Sequence, residues 1–263
     1  MFISVLLVCA ALGCLAGFLA GLLGIGGGLV IVPALVYLLP SLGFSPEVVM
    51  PVAIATSLAS IVFTSASGTF AHHKNNNIPW VVAKQLMVMM AIGVLFGAYI
   101  ADSLSSELLT YIFAIAVSIL ASYMLFSVRI EKSKPLPSHW VIKSIGLGTG
   151  YISCLMGISG GAILVPVLTY FSLSLRQAIG TATVCGFVVA LFGATGFIIT
   201  GLDQTNLPSW SLGYIYLPAL FGIISTSSLL APFGVKMAGK LPVRYIKRIF
   251  SGFLILVVIK MIL

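Results

Sequence analysis

Hydrophobic positions fall in ten stretches, at residues 2–23, 28–40, 48–71, 79–101, 107–128, 141–157, 162–173, 177–200, 210–234 and 243–263, separated by short polar or glycine-rich breaks. Most are about 20 residues long, enough for a helix to cross roughly 30 Å of hydrocarbon. The stretches 28–40 and 162–173 are about half that length. Each follows a glycine cluster, Gly24-Ile-Gly-Gly-Gly28 and Gly157-Ile-Ser-Gly-Gly161. A helix broken by glycines frees backbone groups that only neighbouring protein or water can satisfy inside a bilayer. The pattern therefore predicts that 2–40 and 141–173 each form a long-plus-short helical V whose tip stops near the membrane centre. Six full spans and two re-entrant hairpins result; if the short segments cross, the spans number ten.

The two breaks belong to an internal repeat. Gly21 through Pro33 aligns with Cys154 through Pro166 without a gap, Tyr37 and Tyr170 continue the register, and Ala55-Thr56 matches Ala182-Thr183 after a length difference in the intervening loop. Later, Gly97, Leu104 and Phe113 match Gly234, Leu241 and Phe250. The expected organisation is a first transmembrane repeat at 1–130, a basic cytoplasmic linker at 131–137 and a second repeat at 138–263. Five segments per copy is an odd number, so the second copy would insert upside down. That is the inverted-repeat plan of secondary transporters, which place substrate at the repeat interface near mid-membrane.

Composition removes the alternatives. Of 263 residues, 60% are hydrophobic and 7% charged, and mean hydropathy is +1.21, against about 25% charged in soluble domains. An all-α polytopic membrane protein fits; a soluble enzyme or nucleic-acid-binding module does not. The net charge of +8 reads as topology. With the 129–143 loop inside, every lysine and arginine except Lys260 lies inside, while Glu47, Asp102, Glu107 and Asp203 fall outside and Glu131 inside. Such an asymmetry of basic residues sets orientation. It predicts a multi-pass protein of the cell inner (plasma) membrane with both termini external. The 2–20 segment has no basic residue before its apolar run, so it reads as a membrane segment, not a signal peptide. Cys9, Cys14, Cys154 and Cys185 lie within apolar stretches and have no metal-binding spacing, so neither a metal nor a cofactor is expected.

No Asp, Glu, Lys or Arg occupies the middle of a span, which argues against carboxylate ion relays. Backbone amides, hydroxyls and helix dipoles remain. Half-helices beginning near Gly26 and Ser159 would aim two N-termini at the centre from opposite sides. Each offers unpaired N–H donors and about half a positive charge, and glycines let an anion approach closely. The candidate anion-binding residues are Gly26, Gly27, Gly28, Ser159, Gly160 and Gly161, with Thr56, Ser57 and Thr183 on the polar spans that follow. Two readings stay open: a glycine cluster also permits tight helix packing, and membrane hydroxyls also bond back to their own helix. Thr56 and Thr183 occupy matched repeat positions, whereas Ser57 faces Val184. Gly13, Gly17 and Gly21 read as a packing stripe. His72 and His73 read as wet interfacial residues, Trp80, Trp140 and Trp210 as an interfacial belt, and Arg176 as topological.

Gly157-Ile158-Ser159-Gly160 looks like the nucleophile motif of rhomboid intramembrane proteases. No histidine base follows His139, so no catalytic residue is assigned. The paired glycine motifs ending at Pro33 and Pro166, with the Ala-Thr-Ser and Gly-Thr-Ala-Thr segments, resemble the TauE/SafE family of sulfite exporters over essentially the whole chain. The resemblance implies transport of sulfite, sulfoacetate or related organosulfonates, usually as export, and Ser159 departs from the glycine of the first motif. Together the readings predict a secondary transporter of small sulfur-containing anions, working by alternating access in a lipid bilayer. A passive anion channel, or a carrier of another small organic anion, is the alternative. A homodimer is compatible with the sequence, which does not decide it.

Overall fold

The computed structural model describes residues 2–126, 135–204, 207–237 and 243–262. Arg129, the linker residues Glu131, Lys132 and Lys134, and Lys240 and Leu241 near the last basic loop lie outside them. The described chain is all-α apart from one small hairpin. Its elements are α1 (Phe2–Leu23), α2 (Gly28–Ser41), α3 (Pro46–Lys74), α4 (Trp80–Asp102), α5 (Ser106–Phe126), α6 (His139–Met156), α7 (Gly161–Tyr170), α8 (Leu175–Gly201), β1 (Ser211–Leu212), β2 (Ile215–Tyr216), α9 (Leu217–Met237) and α10 (Val243–Ile262). Among the described residues, α1, α3, α4, α5, α8 and α9 are long and apolar enough to cross a membrane, while α2 and α7 are short apolar helices.

Local chemistry sets the ends of these helices. Pro46 and Glu47 occupy the first turn of α3, and His72, His73 and Lys74 its last turn. Proline costs nothing at the first helical position, and acids early and bases late complement the helix dipole. α8 opens with a capping box: Gln177 N donates to Ser174 Oγ at 3.3 Å, and Ser174 N to Gln177 Oε1 at 3.3 Å.

The helices pack crosswise. α1 lies along α9, α4 lies along α6, and α3 and α8 run together through the middle. Small residues make the close approaches. A Cβ on Gly17 would come within 2.5 Å of Ser227 Cα, and one on Gly150, its repeat match, would come 2.8 Å from Met90 Cα. Thr226 Oγ1 donates to Ala10 O at 2.7 Å across the α1–α9 seam. The stripe of Gly13, Gly17 and Gly21 is thus a packing surface against the α9 backbone, as small residues are in membrane helix pairs. Each of these contacts joins the first helix of one sequence repeat to the fourth helix of the other.

The hairpin was not expected from the sequence, where 210–234 reads as one span. Instead β1 and β2 pair antiparallel through a turn at Gly213, which has φ +53°, and lie over one end of the α3–α8 pair. Tyr216 N donates to Thr56 Oγ1 at 3.0 Å, Tyr214 N donates to Phe197 O at 3.3 Å, and the Tyr214 hydroxyl donates to Asp102 Oδ1 at 3.3 Å. Burial, then the Asp102 charge and this hydrogen bond, push the Tyr214 phenol up to about 12. The aromatic rings of Phe44 and Phe197 pack edge-on against Tyr216 and Tyr214.

Candidate functional site

The two glycine breaks meet at the centre of the fold. Gly27 and Gly160 are the N-caps of α2 and α7, both left-handed, with φ +80° and +75°. Gly24 and its repeat match Gly157 are left-handed as well, at φ +70° and +66°. These signs of φ are costly for residues with a Cβ, so the glycines are required where the chain turns from long helix to short. Within α2 the first N–H groups that bond back are those of Val30 and Ile31, both to Gly27 O; in α7 they are Ile163 and Leu164, both to Gly160 O. The amides ahead of them lie at the helix entrances, as the geometry of any helix start dictates.

Contacts across the junction are reciprocal. A Cβ on Gly28 would collide with Gly157 O, and one on Gly161 with Gly24 O, the same relationship with the two repeats exchanged. At the middle of this exchange, a Cβ on Gly26 would collide with the Ser159 side chain, its own repeat match. The Ser159 hydroxyl is fully buried and accepts from Gly161 N at 3.4 Å. Gly186 on α8 gives this serine its room, since a Cβ there would lie 2.6 Å from Ser159 Cβ.

A small cavity opens on one side of the junction. It is lined by Gly24, Gly26, Ser159, Thr64, Ser65, Gly68 and Thr183, with Ala20, Gly21 and Ala231 behind them, and holds about one water molecule. Thr183 Oγ1 donates to Ile179 O at 2.8 Å, and Thr64 Oγ1 meets Ser227 Oγ at 2.9 Å. No formal charge lines the cavity. What surrounds it is the backbone of Gly24 and Gly26 and the hydroxyl-bearing residues Ser65, Thr64, Ser159 and Thr183, close to the starts of α2 and α7. A much larger groove between α5, α6 and α7, about 540 Å³, is lined mostly by apolar side chains such as Ile119, Met156 and Val167, with Tyr123 and Tyr170 among them.

The residues expected from sequence divide accordingly. Gly26, Ser159 and Thr183 line the cavity together. Gly28 and Gly161 form the junction behind it, Gly27 lies against Ala16, and Gly160 against Ser153, Thr149 and Met90. Thr56 and Ser57 are elsewhere: Thr56 anchors the hairpin, and Ser57 Oγ donates to Gly157 O at 2.8 Å, bracing the second break from behind. Both are fully buried. Gly24, Gly68 and Gly186 have roles the sequence reading did not assign, as do Thr64 and Ser65. Their signal was present in the hydroxyls crowded into 56–67. Ser153, the repeat match of Ala20, carries a buried Oγ without a hydrogen-bond partner beside Gly160.

A family model described as sulfite exporter TauE/SafE matches residues 9–261. The chain belongs to this family. Among TauE/SafE relatives, a probable membrane transporter protein of Haemophilus influenzae is 41% identical over 98% of both chains. One from Methanocaldococcus jannaschii is 24% identical over 96% of this chain and 94% of its own. A third, YunE of Bacillus subtilis, is 26% identical over 74% and 78%. No solved structure matches the chain. The TauE/SafE assignment makes the protein a multi-pass membrane transporter.

Proposed function

We propose that this protein is a carrier of small sulfur-containing anions, sulfite or an organosulfonate such as sulfoacetate, with the anion bound where the entrances of α2 and α7 meet. The observation that carries this reading is the uncharged cavity beside Gly26 and Ser159, which Ser65 and Thr183 also line, at the point where the two glycine breaks ahead of α2 and α7 meet. A dipole end contributes about 0.3–1 kcal/mol, up to ~2 where partly buried, and each hydrogen bond to a charged group about 1.5–3 kcal/mol. Two entrances and several hydroxyls together replace much of an oxyanion's hydration while leaving no charge buried when the site is empty.

The present conformation is closed, since space for about one water is too small for a sulfur oxyanion. Binding therefore requires the junction to open. The reciprocal packing of Gly28 on Gly157 and Gly161 on Gly24 supports two inverted repeats that rock about the Gly26–Ser159 contact, exposing the cavity alternately to each side. With the basic loops inside and both termini outside, the inside-negative potential of the plasma membrane favours anion export by about 2.3 kcal/mol per charge per 100 mV.

Counterflow in proteoliposomes tests this. Vesicles loaded with sulfite, sulfate, sulfoacetate or acetate are followed for entry of labelled sulfite. Trans-stimulation by sulfur oxyanions alone, abolished in Gly26→Val, is the expected result. Flux without counterflow establishes a channel instead, and silence of folded protein across the panel removes the sulfur-anion assignment.

A further inference from the structure

The second half of α3 carries a polar feature that the central cavity does not use. His72 is 3% exposed, not the wet interfacial residue its position at a span end suggested, and its Nε2 is buried without a hydrogen-bond partner. Thr69, three residues earlier and so adjacent on the helix surface, has a buried Oγ1 that also lacks a partner. Buried polar atoms left unpaired are costly, commonly about 1–3 kcal/mol each. Two within one turn are polar atoms for which the folded chain itself supplies no partner.

Their position connects them to the cavity. Ser65, Gly68 and His72 follow one another at spacings of three and four on a single face of α3. Ser65 and Gly68 line the cavity, and a Cβ on Gly68 would lie 3.1 Å from the Thr183 methyl of α8. From Ser65 to His72 is two turns, roughly 10 Å along the axis. Asn77 returns against α8 at Gly180, three residues before Thr183, and Asn77 N donates to His72 O at 3.0 Å. Asn77 Nδ2 lies 3.5 Å from His72 Nδ1. With Asn77 Nδ2 as the donor in this contact, Nδ1 accepts and the neutral ring carries its hydrogen on Nε2, the tautomer in which the orphan is a donor. Charged residues on this end of the helices packed here are basic: Lys74 on α3, Arg176 on α8 and Lys236 on α9.

We propose that His72 is a second anion station, between the central cavity and the end of α3 marked by Lys74, where Nε2–H donates to the oxyanion in transit and Thr69 Oγ1–H adds a second bond. The station rests on reading the central cavity as the anion site. It solves a problem that a purely central site leaves: an anion moving off the helix entrances must find donors on its way, or pay for its lost hydration in one step.

The chain has three histidines. The double variant H73Q/H139Q leaves His72 alone, so its imidazole nitrogens can be followed by ¹⁵N NMR in nanodiscs while sulfite, sulfate or methanesulfonate is added. A saturable shift of the Nε2 resonance by one of these anions is expected, at concentrations that raise the melting temperature. In counterflow, His72→Leu is expected to weaken apparent affinity about ten- to hundredfold, the loss of one hydrogen bond to a charged partner. His72→Gln, which restores an amide donor, should recover most of it. An anion that stabilises the protein without moving the His72 signal overturns the station and leaves the central site standing. No stabilisation by any anion overturns both. Should His72→Leu not fold, the NMR titration of the single-histidine protein still decides.

Discussion

Gly26 lies directly against Ser159, the residue that occupies its own position in the second sequence repeat. The exchanged contacts of Gly28 with Gly157 and Gly161 with Gly24, each between one sequence repeat and the other, accompany it. The two residues nevertheless differ in kind. Gly26 is left-handed at φ +73°, whereas Ser159 is not among the residues of positive φ, so one break turns where the other places a hydroxyl.

That asymmetry predicts opposite outcomes for exchange at the two positions. Gly26→Ser meets both the Ser159 side chain and a left-handed backbone, the latter alone worth about 1–2 kcal/mol, and should lower the melting temperature by several degrees. Ser159→Gly removes an acceptor from Gly161 N and a donor from the cavity but fills no occupied space. It should fold normally and weaken anion-dependent stabilisation several-fold. Melting curves with and without sulfite separate the two effects; equal loss of fold in both variants would show that Ser159 is a packing residue.

Much of this architecture was legible in the pattern of apolar positions. The half-length stretches after Gly24–Gly28 and Gly157–Gly161 became α2 and α7 because clustered glycines cannot continue a helix and nothing in hydrocarbon replaces the missing bonds. Gly26, Ser159 and Thr183 were found together because the repeat picked them out. Thr56, picked out by the same argument, lies away from this cavity. Its match to Thr183 is genuine in sequence, but 207–216 folds back as a hairpin and Tyr216 N takes the Thr56 hydroxyl. A two-residue strand among apolar positions carries no periodicity that sequence could separate from a helix start. His72 was misjudged because burial at a span end depends on how Asn77 turns back against α8, a tertiary fact.

Two glycines on α6 should respond in opposite directions to one methyl group. Gly148 has open space where a Cβ would go, while Gly150 has Met90 Cα at 2.8 Å. Gly148→Ala should therefore gain about 0.5–1 kcal/mol from reduced backbone entropy. Gly150→Ala should lose about 1–3 kcal/mol through overpacking of the α4–α6 seam. Thermal unfolding in matched detergent measures both, and neither change should alter which anions stabilise the fold.

Ser57→Ala isolates the brace behind the second break. The Ser57 hydroxyl donates to Gly157 O at 2.8 Å in a fully buried setting. Its removal leaves that carbonyl unpaired, a cost of about 1–3 kcal/mol. Ser57 does not line the cavity, so the expected signature is a lower melting temperature with counterflow selectivity among sulfite, sulfate and acetate unchanged. A changed selectivity order would place Ser57 in contact with substrate.

The hairpin gives the fold an alkaline limit. Tyr214 is raised to about 12 from the ordinary value of 10.0, first by burial and then by the Asp102 charge and hydrogen bond. The folded state thus holds the phenol proton more tightly than the unfolded chain does. Its contribution is complete below about pH 10, where both states are protonated, and is lost as pH rises toward about 12, because the unfolded state alone gives up its proton there. Melting temperature should fall over that interval in the wild type. Tyr214→Phe cannot ionise and forfeits the bond to Asp102, so it should begin with a slightly lower melting temperature at neutral pH and show a shallower alkaline decline. An identical decline in the variant would mean that the Tyr214–Asp102 pair does not hold the hairpin against α3 and α8.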